Sequence, residues 1–100
     1  MDINRAIRMA VDTGDVKFGA RGSVENASTG KTKMIVVSSN CPKKTRGEIA
    51  RNSKLSGVNV LVFNGTSIEL GSLCGKPFPV SALSIIEPGN SNILDAVKKE

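Results

Sequence analysis

Lys33-Met34-Ile35-Val36-Val37-Ser38 is the stretch that decides the fold. It is apolar without alternation and rich in β-branched residues, the pattern of a strand covered on both faces. A strand with one solvated face would alternate apolar with polar residues. Double coverage requires helices on both sides of the sheet, and the flanking sequence supplies them. Upstream, Ile3, Ala6, Ile7, Ala10 and Val11 recur at helical spacing behind Asp2, a capping residue type, and the pattern stops at Thr13-Gly14. Val16-Lys17-Phe18 reads as a short strand. Gly19-Ala20-Arg21-Gly22-Ser23 then opens a second helix, which carries Val24 and Ala27 and ends at Gly30.

Downstream, Ser39-Asn40-Cys41-Pro42 leads into a helix from Lys43 to Ser56 with a basic exposed face. Thr45 and Glu48 stand at capping-box spacing there, and Gly57 is the stop. Asn59-Val60-Leu61-Val62-Phe63 is the third strand. Asn64-Gly65 follows it, and Thr66-Ser67-Ile68-Glu69 repeats the capping-box spacing for a short helix to Cys74, ended by Gly75. Ala82-Leu83-Ser84-Ile85-Ile86 makes a fourth strand, and Pro88-Gly89-Asn90-Ser91-Asn92 turns the chain into a terminal helix carrying Ile93, Leu94 and Val97. Alternating strands and helices predict an α/β domain, a three-layer α/β/α sandwich around a largely parallel sheet. One hundred residues with 39% apolar content fill one core, so residues 1–100 read as a single domain.

Fourteen Lys and Arg against nine Asp and Glu give a net charge of +5, and a pI near 9.6 favours an anionic partner, nucleic acid first. No apolar run approaches the ~20 residues of a membrane span, and a signal segment is not evident, so a cytosolic protein is expected. Cys41 and Cys74 have no Cys-x-x-Cys spacing and no histidine beside them, which excludes a zinc site. No cofactor and no small-molecule substrate are expected. Reduced, unpaired thiols are the expectation, although both cysteines fall near the same loop edge.

Ligands of such sheets gather beyond the carboxyl ends of the strands, beside helix amino termini. Two turns qualify. After Phe18, Gly19 and Gly22 permit close approach of backbone to phosphate and Arg21 supplies charge. After Ser38, Asn40 offers donor and acceptor groups for a base edge, with Lys43, Lys44 and Arg46 suited to phosphates. The competing readings are an ordinary glycine turn and an asparagine tolerating an unusual backbone angle. A third loop, Cys74-Gly75-Lys76-Pro77-Phe78-Pro79-Val80, holds one of three phenylalanines between two prolines. Its ring either tucks back into the core or stacks on an unpaired base. Further basic residues, Lys31, Lys33, Arg51, Lys54, Lys98 and Lys99, read as solvated faces. An enzymatic alternative places Cys41 and Arg46 in a cysteine-phosphatase cradle. However, four residues separate them where that family has five, Pro42 removes an amide, and no histidine is present as a base.

Taken in order, Phe18-Gly19-Ala20-Arg21-Gly22-Ser23, Ser39-Asn40, Leu55-Ser56-Gly57, Glu69-Leu70-Gly71, Gly75-Lys76-Pro77-Phe78 and Glu87-Pro88-Gly89-Asn90-Ser91-Asn92-Ile93-Leu94 span nearly the whole chain. Together they resemble the family of large-subunit ribosomal protein thirty, archaeal and eukaryotic type, within the kink-turn RNA-binding ribosomal proteins. The resemblance implies a four-stranded mixed sheet whose last strand runs antiparallel to the others. It also implies binding to a kink-turn, in which sheared G·A pairs adjoin a sharply bent backbone and an extruded base. On that footing Gly19, Ala20 and Arg21 form a phosphate-facing turn, with Arg21 keeping the charge where lysine also occurs. Asn40 contacts the sheared-pair guanine, Lys43 and Lys44 lie near the bent backbone, with Arg46 beside them as a further RNA-binding candidate read from its charge, and Phe78, on the loop with Lys76 and Pro77, stacks under the extruded base. Pro79 stiffens that loop. The implied protein is a non-enzymatic constituent of the cytoplasmic large ribosomal subunit, monomeric when free and bordered there by other ribosomal proteins. A general kink-turn adaptor of small ribonucleoprotein particles is the alternative within the fold.

Overall fold

The computed structural model describes residues 2–26 and 32–97. Ala27, Gly30, Lys31, Lys98 and Lys99, named above, lie outside the described residues. The elements are α1 (Ile3–Thr13), β1 (Asp15–Phe18), α2 (Ala20–Asn26), β2 (Met34–Ser38), α3 (Lys43–Ser56), β3 (Asn59–Phe63), α4 (Ser67–Leu73), β4 (Ala82–Glu87) and a 3₁₀ turn over Ile93–Val97. Every residue of β2 is buried, as its unbroken apolar run requires. Met34 and Val36 face a core with Ile7 and Ala10 of α1, Leu70 of α4 and Ile93. Ile35 and Val37 face the other core, with Ile49 of α3 and Val24 of α2 packed against it. The period-two alternation of strand side chains thus divides one sequence run between two helical layers.

The strand order is β1-β4-β2-β3. β2 and β3 pair in parallel from Met34 opposite Asn59 to Ser38 opposite Phe63. β4 is antiparallel to both of its neighbours. The largely parallel sheet read from alternation is therefore corrected, and the mixed sheet implied by the resemblance is the observed one. Periodicity determines which face a residue occupies but carries no information on strand direction.

Local sequence explains most helix ends. Asp2 accepts a hydrogen bond from the Arg5 backbone N–H at 3.2 Å, and Thr66 and Glu69 complete a reciprocal capping box at the start of α4. The box expected from Thr45 and Glu48 does not form. Helix α3 already begins at Lys43, with Pro42 as a cap lacking any side-chain hydrogen bond. The terminal helix is a 3₁₀ segment of five residues, a length at which i to i+3 bonding is common. Gly22, read as part of the turn after β1, lies inside α2 instead.

Candidate nucleic-acid interface

The carboxyl ends of β1, β2 and β3 and the amino end of β4 lie on one edge of the sheet, and backbone hydrogen bonds join their loops. Gly19 N–H donates to Ala82 C=O at 3.0 Å, and Ser38 N–H to Ser81 C=O at 2.8 Å. The Ser39 N–H and hydroxyl both donate to Gly65 C=O. Gly19 adopts φ +121°, a conformation that favours glycine. Its carbonyl accepts from the Ser23 N–H and hydroxyl, which places Ala20 at the start of α2 and Arg21 exposed in its first turn.

Asn40 is exposed, and its backbone φ is not positive. The unusual-angle reading is thereby overturned. Its side-chain Oδ1 accepts from the Ser67 N–H at 2.8 Å and from the buried Ser38 hydroxyl at 2.9 Å. A backbone N–H can donate only to the oxygen, so these bonds fix which end of the amide faces inward. The two N–H donors of Nδ2 face the opposite way. The sequence reading gave Asn40 a donor and an acceptor for a partner, whereas among the described residues the acceptor is occupied and the donors are left.

Ser67 joins this loop to the aromatic one. Its N–H holds Asn40, and its carbonyl accepts from Val80 N–H at 2.9 Å. Between them, Phe78 is 50% exposed and Ile68 of α4 is 69% exposed. With Ser72, Lys76, Pro77 and Pro79 they line an open groove of 410 Å³. The alternative in which Phe78 tucks into the core is not realised. The loop lies so close to α4 that a Cβ on Gly71 would collide with the Phe78 carbonyl oxygen. Arg8 of α1 secures the other end, donating to Leu73 C=O at 3.2 Å while paired with Asp12. Lys76 reaches Phe18, its ammonium 4.8 Å from the ring centroid, so the third loop also braces the first. Ser67, Ile68 and Arg8 escaped the sequence reading because their roles rest on backbone atoms and neighbours from distant elements.

The cations gather on the other side of Asn40. Lys43, Lys44 and Arg46 are exposed in the first turn of α3. Arg21 and Lys44 line one groove of 510 Å³ together with Val24, Glu25, Thr45 and Glu48. Cations are unfavourable beside the partly positive start of a helix. This helix start also lacks a side-chain cap, so an approaching phosphate would relieve both defects at once.

The cysteine chemistry does not support hydrolysis. Cys41 is 5% exposed, and burial raises its thiol pKa, with the Arg46 charge opposing the shift. A phosphatase nucleophile needs the reverse. Burial likewise pushes the Cys74 thiol up to about 11 against the charges of Arg8 and Lys76. The two thiols are unpaired and belong to different cores, so nearness to one loop edge does not bring them together: the sheet lies between them.

The model of the ribosomal protein L7Ae/L30e/S12e/Gadd45 family matches residues 1–95. Large ribosomal subunit protein eL30 of Methanococcus maripaludis strain C5 is 50% identical over 100 residues, covering 100% of this chain and 94% of its own. The protein of the same name from Methanococcus vannielii is 52% identical over 95% of this chain and 90% of its own, and that from Methanothermobacter thermautotrophicus 48% over 97% and 99%. A solved structure of a protein with unknown function from Bacillus halodurans C superposes with a TM-score of 0.79 at 18% identity, covering 95% of this chain and 94% of that one. That likeness concerns the fold alone. With a family match over residues 1–95 and relatives near half identity along its length, the chain belongs to the ribosomal protein L7Ae/L30e/S12e/Gadd45 family.

Proposed function

We propose that the protein is a structural constituent of the large ribosomal subunit that binds a kink-turn-like element of ribosomal RNA through this sheet edge. The observation that carries the proposal is the clamped amide of Asn40, whose donors face outward beside an exposed aromatic. A guanine presents two acceptors, O6 and N7, on its major-groove edge, and a donor pair suits it where an adenine would oppose its own amine. Regular A-form RNA hides that edge in a deep groove, so a bent or internally looped RNA is the ligand that fits. Phe78 and Ile68 give an extruded base an apolar seat, and the uncapped, cationic start of α3 receives phosphates. The names of the curated relatives support the ribosomal setting.

The test is a titration at two salt concentrations against a kink-turn RNA and a control whose sheared G·A pairs are replaced by Watson–Crick pairs. Preference for the kink-turn that persists at the higher salt supports the proposal, and equal, salt-sensitive binding to both overturns it. Phe78→Ala is expected to weaken kink-turn binding by ~1–3 kcal/mol, the value of one base stacked on an aromatic ring. Unchanged affinity in a folded variant removes the ring from the site.

A further inference from the structure

We propose that the exposed face of α3, beyond its first turn, is a second RNA contact that lies along the phosphate backbone of a stem flanking the kink. The inference rests on the preceding one in taking the partner to be RNA. Helix α3 carries five cations, Lys43, Lys44, Arg46, Arg51 and Lys54, against one carboxylate, Glu48, leaving +4 where the whole chain has +5. Nearly the whole net charge thus sits on one helix, with Lys43, Lys44 and Arg46 in its first turn and Arg51 and Lys54 carrying the positive charge on beyond it. Neither Arg8–Asp12 nor Lys17–Asp15, both ion pairs among the described residues, involves a side chain of this helix.

Lys43, Gly47, Arg51 and Lys54 follow one another at i, i+4, i+8 and i+11, and all four are exposed. This is one ridge of the helix, ~16 Å from end to end at 1.5 Å per residue. Gly47 stands in its middle. Glycine inside a helix is unfavourable relative to alanine, and here nothing in the fold requires it: a Cβ at this position would meet no atom within 4 Å. A bare point on a cationic ridge lets an anionic backbone approach the helix axis more closely than alanine would permit. Charge complementarity and the missing side chain therefore indicate the same partner, a run of phosphates.

The test compares a kink-turn RNA bearing long flanking stems with one trimmed to the pairs adjoining the kink. Wild-type protein is expected to bind the long-stem RNA about tenfold more tightly, and Arg51→Ala/Lys54→Ala to abolish that difference while lowering the log-salt slope by about two. Gly47→Ala should raise the thermal midpoint by about 4 °C, yet bind the long-stem RNA less tightly than wild type. Gly47→Ala with unchanged affinity, together with an unchanged slope for the double variant, overturns the inference. That result would be expected if the face served an acidic protein instead. If wild type ignores the kink but still prefers long stems in an Arg51- and Lys54-dependent way, the loop-edge reading fails and the α3 face stands.

Discussion

Gly71→Ala is expected to destabilise the protein by ~2 kcal/mol, the range of an overpacked contact, and to weaken kink-turn binding along with it. Helix propensity alone predicts the opposite sign, a gain of ~1 kcal/mol for replacing glycine within a helix. The steric term should win because the obstacle is backbone: the added Cβ meets the carbonyl oxygen of Phe78 and the main chain of Pro79, neither of which can rotate away. Relief requires the loop to lift from α4. That movement strains the Val80 hydrogen bond to Ser67, and Ser67 also holds Asn40. Thermal denaturation and an RNA titration of one preparation test the expectation. A more stable variant with wild-type affinity would show that the loop is not seated on the helix. Gly47→Ala, the same substitution on an open surface, makes the internal contrast.

Asn40→Asp is expected to reduce kink-turn affinity by ~3 kcal/mol, on the order of a hundredfold, while preserving the fold. A carboxylate can accept from the Ser67 N–H and the Ser38 hydroxyl as the amide does, and a charged acceptor strengthens such bonds. What disappears is the pair of outward N–H donors, worth ~1–3 kcal/mol against a guanine edge. A negative charge also replaces them next to a site proposed for phosphates. Asn40→Ala is less informative because it leaves the Ser67 N–H without its acceptor and confounds stability with binding. Unfolding curves paired with binding isotherms separate the effects. Retained affinity in Asn40→Asp would dismiss the amide as the base-reading group.

The layers were legible because β2 is uniformly apolar and bordered by helices with clear periodicity. Thr66 and Glu69 announced the start of α4 correctly, since a capping box is a local device. Thr45 and Glu48 showed the same spacing without forming one, because α3 starts two residues earlier at Lys43 and no spacing rule chooses between competing starts. Strand direction was not legible from alternation, as β4 shows. For the candidate site, residue types and loop positions could be read, but the state of each group could not. That Asn40 keeps only its donors depends on Ser67, 27 residues away, and the exposure of Phe78 depends on where the loop settles against Gly71.

The central place of β4 has a consequence for the order of events during synthesis. This strand, the last among the described residues, lies between β1 and β2 and supplies the hydrogen-bonded connection between them. Until it emerges, the turn at Gly19 has no Ala82 carbonyl to bind, and the loop bearing Phe78 lacks the strand that follows it. The proposed recognition edge therefore cannot assemble progressively as the chain elongates. Pairings of such high sequence separation form late and slowly, so capacity for RNA should arise in a single step once β4 has emerged. A chain truncated or stalled before Ala82 would lack that capacity, and RNA binding would act as a readout of β4 docking.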